Sequence, residues 1–245
     1  MFTTDIFKGQ VALITGAGQP FADALIHRFA SLGAQLALVY EKRDEEKALA
    51  VEAPAGTIRR ECDGSDSQAV KTVVRAIAAE LGRIDVLICA AYDGAAESLT
   101  EIAIDRWQRA IDAQLCSTMH FNREVIRPMM RNKSGRIINV IYALAGPIGN
   151  VASRGVAALT RTLAAELAPQ GIYVNCIGVG ELEEQGANHD GVKVVRQTTS
   201  IIRSAAPLGR LGRVDEVAEV AVFLASPAAR LTSGHTMPAS GGIYP

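Results

Sequence analysis

"VALITGAGQPFADALIHRFASLGAQLALVY", residues 11–40, decides the fold. Residues 11–15 form a short apolar run that ends in a glycine turn. "DALIHRFASLG" then repeats its apolar residues at helical spacing, and residues 35–40 return to an apolar run. Two such runs joined through a helix make a strand–helix–strand unit. A crossover of that length suits parallel strands, which a tight hairpin cannot connect.

The alternation continues along the chain. "KRDEEKALAVE" is charged and helix-forming, and "GTIRREC" reads as a weaker third strand. "SQAVKTVVRAIAAELG" puts Val70, Val73, Val74 and Ile77 on one face of an amphipathic helix. "IDVLICAA" (84–91) and "GRIINVIY" (135–142) are two further buried-strand runs, separated by a long helical region from about 101 to 131. "IYVNCIGV" (172–179) gives a sixth strand and "GHTMPAS" a seventh. Apolar, β-branched strands alternating with helices predict a mostly parallel sheet covered on both faces, a doubly wound α/β fold. No repeat, low-complexity tract or linker divides residues 1–245, so one domain is expected. The least regular stretch, "GELEEQGANHDGVK" (180–193), follows a strand's carboxyl end, where ligands of such sheets bind.

Composition sets the function classes. Hydrophobic residues make up 49% of the chain and charged residues 21%, as in an ordinary globular protein with a sizeable core. The net charge of −1, without a basic block, argues against nucleic-acid and membrane-surface partners. Cys62, Cys89, Cys116 and Cys176 are widely spaced and show no metal-ligand pattern, so free thiols in a reducing compartment are expected. "MFTTDIFKGQVALITG" shows no apolar leader, and a cytoplasmic, soluble protein is the expectation.

Several motifs together carry a resemblance. They are "ALITGAG" at the first turn, Asp63 after the third strand, "IDVLI", "RPMM…SGRIINV", "LTRTLAAELAPQGIYVN" and the tail "PLGRLGRVDEVAEVAVFLAS…TSGHTM…GG". In this order, nearly end to end, they resemble the short-chain dehydrogenase/reductase family. The resemblance implies a Rossmann-type domain, nicotinamide-dependent carbonyl/alcohol chemistry and a tetrameric assembly. It also implies pairing between subunits through helices at about 103–130 and 150–168, and a second interface at the last helix and strand.

The family's functional positions are where this chain departs. The first turn of the family, TGxxxGxG, reads "TGAGQPFA" here: Thr15 and Gly16 match, but Pro20 and Ala22 stand at the second and third glycines. Glycine there lets backbone approach a pyrophosphate at a helix N-terminus. Proline removes an N–H and fixes φ, although it opens a helix well. Tyr40 stands where an acidic residue would grip a ribose, with Glu41, Lys42 and Arg43 behind it; Asp63 matches the position beside the adenine. Asn-Asn-Ala-Gly after the fourth strand is replaced by Cys89-Ala90-Ala91-Tyr92, and Glu184 replaces a threonine expected beside the nicotinamide.

The catalytic set departs further. A lysine-activated tyrosine, an orienting serine and a relay asparagine are implied by the resemblance. Their positions hold Asn150 and Arg154 for the tyrosine and lysine, Tyr142 for the serine, and Gln114 for the asparagine. Among His27, His120, His189 and His235 no triad or metal spacing occurs, and His189, in the polar loop, is the one functional candidate. Departure at the chemistry with an intact frame predicts a catalytically inactive subunit, with no cofactor and no metal on this chain. It would support an active short-chain dehydrogenase subunit carrying NAD or NADP in a mixed tetramer, with a β-hydroxyacyl-CoA type of substrate. Two other readings stay open. One is a regulatory protein binding a nucleotide or metabolite, and the other is a reductase with a rearranged site using Tyr142 or Tyr92.

Overall fold

The computed structural model describes residues 5–92, 98–142, 146–183 and 207–243. Seven strands form one parallel sheet: β1 (Val11–Thr15), β2 (Gln35–Tyr40), β3 (Ile58–Glu61), β4 (Val86–Cys89), β5 (Gly135–Tyr142), β6 (Ile172–Val179) and β7 (Thr236–Ala239). Their order across the sheet is β3-β2-β1-β4-β5-β6-β7, so the chain reverses its winding at β1, which pairs with both β2 and β4. The expected doubly wound α/β fold is the observed one, and all seven expected strands are present.

Helices cover both faces. On one face α1 (Pro20–Ser31) and α7 (Val214–Ala225) pack together over Ile14, Leu38, Ile88 and Val140. On the other, α3 (Ser67–Leu81), α5 (Ser117–Asn132) and α6 (Gly146–Leu167) cover Leu13, Val39, Leu87 and Ile137. Val70, Val74 and Ile77 of α3 are buried and Val73 packs at their margin, as the spacing predicts. Each fully buried aliphatic side chain contributes about 1.5–3 kcal/mol. Asp66 caps α3 by accepting from the N–H groups of Gln68 and Ala69, and Gly82 ends it in the left-handed region. The short α2 (Glu45–Ala50) follows β2.

Three boundaries differ from the sequence expectation. The run 84–91 pairs as a strand only over Val86–Cys89, because the Asp85 carboxylate accepts the Val11 N–H (2.8 Å) and is itself held by the Arg83 fork. The long helical region is two helices, α4 (Ile104–Ile111) and α5, fused through a π-helical turn at Asp112–Cys116. α6 starts at Gly146 rather than near 150, with Pro147 in the first turn where its missing N–H costs least.

The cysteines are all free: Cys62, Cys89 and Cys176 are buried and Cys116 half-buried. Burial pushes the Cys62 and Cys176 thiols up to about 12. Among the described residues, no helix is long and apolar enough to cross a membrane.

Candidate functional site

The carboxyl ends of β1 and β4 meet at the reversal of winding, with β5 beside them, the place where ligands enter sheets of this kind. From β1 the chain turns through Gly16 and Gly18, both with positive φ (76° and 93°). A Cβ on Gly16 would lie 2.8 Å from the Ala91 nitrogen, and one on Gly18 would lie 2.8 Å from the Asp44 carbonyl oxygen. The turn is therefore pressed between the exit of β4 and the start of α2, and only glycine fits either point.

Gln19 precedes α1 and makes no cap bond to the helix with its side chain. Its Nε2 instead crosses the head of the sheet and donates to the Tyr92 carbonyl (3.1 Å). Pro20 opens α1 in its first turn, as its backbone chemistry predicts. Ala22 is fully buried and its N–H is taken by the Gln19 carbonyl (2.9 Å). Asp23 follows in the same first turn, half-buried, with Oδ1 lacking a hydrogen-bond partner among the described residues. Burial raises its carboxyl pKa above the usual value, opposed by nearby His27. A carboxylate there suits the positive end of the helix and competes with any phosphate that would approach it.

Tyr142 ends β5, and Tyr92 lies just beyond β4. Their rings meet at a centroid distance of 4.2 Å and a tilt of 31°. Burial drives the Tyr142 phenol well above the ordinary tyrosine value, and Tyr92 pushes it in the same direction. A phenol that hands over a proton near neutrality needs the opposite shift, from an adjacent cation. Arg154 does not supply it: among the described residues no hydrogen bond or ion pair joins Arg154 to Tyr142. Asn150 and Arg154 lie four apart and exposed on α6. Gln114 sits buried in the π-helical turn and donates from Nε2 to Ser153 Oγ (3.4 Å), a long contact tying that turn to α6.

At the other end of the groove, Tyr40 is buried in the core beside Ala48 and Val51. The charged run behind it is paired within the chain: Arg43 with Glu41 (2.9 Å), and Lys42 with Glu45 (2.5 Å) and Glu61 (3.4 Å). Asp63 Oδ1 accepts from the Ser65 N–H (2.9 Å) and hydroxyl (2.6 Å), which shapes a local turn. Glu184 and His189 lie outside the described residues. His120 Nδ1 bonds the Gly64 carbonyl (3.0 Å), and His27 and His235 are exposed. No group of three His, Cys, Asp or Glu side chains among the described residues could hold a metal.

Sequence reading missed Gln19, Asp23 and Ser153. An acidic residue in a first helical turn is too common to stand out, and the Gln19 and Ser153 contacts join residues far apart in sequence.

A profile described as Enoyl-(Acyl carrier protein) reductase matches residues 16–244. The chain belongs to the short-chain dehydrogenase/reductase family. Among its relatives is the 2-dehydro-3-deoxy-L-rhamnonate dehydrogenase (NAD(+)) of Sphingomonas sp. (strain SKA58), 32% identical with 96% of both chains covered. The 3-oxoacyl-[acyl-carrier-protein] reductase of Escherichia coli (strain K12) is 28% identical, covering 97% of this chain and 98% of the relative. A crystal structure of NAD+-bound xylitol dehydrogenase superposes with a TM-score of 0.84 at 28% identity, covering 96% of this chain and 99% of that one. The family match thus runs along nearly the whole chain.

Proposed function

We propose that this chain is a non-catalytic subunit of an NAD(P)-dependent oxidoreductase, assembled with an active short-chain dehydrogenase subunit. The observation that carries this reading is the state of Tyr142. It stands at the family's serine position, enclosed under Tyr92, with its proton held more tightly than in a free phenol and no cation bonded to it among the described residues. Asn150 offers an amide where a phenol is needed, and an amide does not transfer a proton near neutral pH.

The residues at the groove also do not fit a dinucleotide. The Tyr92 and Tyr142 rings meet where a ring would enter, and Gln19 closes onto the Tyr92 carbonyl. Pro20 and Ala22 offer the phosphates one N–H that is absent and one that is already bonded. Cofactor and turnover are accordingly assigned to the partner. The family helices that pair subunits are intact here, and they present apolar side chains outward: Ile104 of α4 is 80% exposed and Val151 of α6 is 44% exposed. Apolar exposure of this kind suits burial against another subunit.

The narrowest form of the proposal is the inactive subunit of a heterotetrameric 2-[hydroxy(phenyl)methyl]succinyl-CoA dehydrogenase, acting on a β-hydroxyacyl-CoA substrate. It rests on the resemblance alone. The sensor reading has less support, since the Glu41–Arg43 charges that would meet a ligand are engaged with each other. The test is affinity purification of the tagged chain from its native source. A dehydrogenase of the same family is expected to co-purify, and activity is expected only in its presence. Homo-oligomers that turn over carbonyl or alcohol substrates alone would overturn the reading.

A further inference from the structure

We infer that Tyr92 and Tyr142 form an internal aromatic lock, latched by Gln19, that holds the head of the groove shut in place of a bound planar ring. The inference rests on the non-catalytic reading above and names the residues responsible for closure.

Three separate elements converge on it. Tyr92 arrives from the exit of β4, Tyr142 from the end of β5, and Gln19 from the turn between β1 and α1. The rings are in contact at 4.2 Å between centroids with a tilt of 31°, a little closer than the roughly 4.5–7 Å usual for aromatic pairs. Tyr142 also rests on the core of the α1 and α7 face, which backs the pair, and Tyr92 covers it. The Gln19 amide fixes the Tyr92 backbone through its carbonyl (3.1 Å), which links the cover to the phosphate-end turn. That turn has no slack: Gly16 lies against the backbone of Ala90 and Ala91, immediately before Tyr92.

An ordinary packing pair would be buried between layers of the fold. This one joins the carboxyl ends of β4 and β5, and the Gln19 bond to Tyr92 carries it across to β1, at the reversal of winding where the topology leaves a crevice for a ligand. A ring that fills its own crevice gives the turn, the β4 exit and the β5 end a common contact without a ligand. The chain is then closed without nucleotide, as a subunit with no turnover requires. Removing both rings frees the space they share at the ends of β4 and β5, and the probe for that space is a nicotinamide dinucleotide, whose flat ring would take their place.

The test compares wild type, Y92F, Q19A and the double variant Y92G/Y142S by thermal shift and calorimetric titration with NADH. Wild type and Y92F, which keeps the ring pair, should show no shift at about 1 mM NADH. Y92G/Y142S should gain at least about tenfold in affinity and a saturable rise in melting temperature, with Q19A between. A folded double variant with no gain overturns the lock and leaves the non-catalytic reading standing. Wild type binding NADH as well as the double variant overturns both. Should circular dichroism show the double variant unfolded, Y92A, which keeps the backing ring, carries the same comparison with the same two outcomes.

Discussion

Asn139→Ala should be among the most destabilising single changes in this protein. Asn139 lies at the middle of β5, fully buried, and its amide joins three elements. Asn122 Nδ2, on α5, donates to Asn139 Oδ1 (2.9 Å). Asn139 Nδ2 donates to Thr160 Oγ1 on α6 (2.9 Å), with a longer contact back to Asn122 Oδ1 (3.3 Å). Asn122 and Thr160 are themselves completely buried. Alanine removes the partner of both, and each orphaned buried polar group costs about 1–3 kcal/mol. Asn122 keeps its bond to the Thr118 carbonyl (2.7 Å), so the lower half of that range applies to it. The sum is about 2–5 kcal/mol, equivalent at this chain length to a fall in melting temperature of about 4–20 °C. The assay is urea unfolding followed by far-UV circular dichroism, supported by calorimetry. Thr162→Ala serves as control: its exposed hydroxyl bonds the Ala158 carbonyl within α6, and the change should fall within about 0.5 kcal/mol. A loss under about 1 kcal/mol in Asn139→Ala would refute the network as the tie between β5 and the two helices. If the helices pair subunits as proposed, the variant should also weaken assembly more than its residual stability explains.

Three other outcomes follow from the geometry. Gly18→Ala should lower stability by about 1–3 kcal/mol in denaturant titration, because its φ of 93° and the Asp44 carbonyl 2.8 Å from the new methyl both oppose a side chain. Glu216, held by Arg210 (2.6 and 2.8 Å) and the Arg213 N–H (2.9 Å), has its pKa lowered to about 2. A depressed carboxylate contributes stability above its unfolded value near 4.5 that is lost as pH falls toward 2. Glu216→Gln should flatten that part of the stability–pH curve, by under about 1 kcal/mol because the pair is exposed. Finally, Cys62 and Cys176, with thiols near 12, and enclosed Cys89 should resist labelling by a disulfide reagent at about pH 8, whereas half-buried Cys116 reacts first. Four rapidly labelled thiols in the native protein would contradict the packing.

The frame was legible because parallel strands buried on both faces write themselves as continuous apolar runs, and β1, β2, β5 and β6 match those runs residue for residue. β4 was read too long because an aspartate carboxylate can take the place of a ladder bond, and no periodicity encodes that. The π-helical turn was invisible for a related reason: nothing in the sequence of Asp112–Cys116 marks it, and its tie to α6, from Gln114 to Ser153, joins residues far apart in sequence. Pro20 was readable because proline's effect is local to its own backbone. Tyr92 stands out in the sequence as a ring where the family has a glycine, but its partner could be found only once β4 lay beside β5, fifty residues apart in sequence as Tyr92 is from Tyr142. Gln19 gave no local signal at all.

The C-terminal margin of the sheet has a consequence for how the protein behaves in a crowded solution. The carbonyl of His235, just before β7, and that of Ala239 within it accept from the N–H groups of Cys176 in β6 and Gly180 just after it, so the residues between them in the alternation, Thr236 and Pro238, turn their backbone outward. Proline has no hydrogen to offer there, and an invading strand would find one donor where it needs two. The margin is thereby capped against templated growth of cross-β aggregates, so the apolar side chains exposed on α4 and α6 are not accompanied by a strand edge that polymerises.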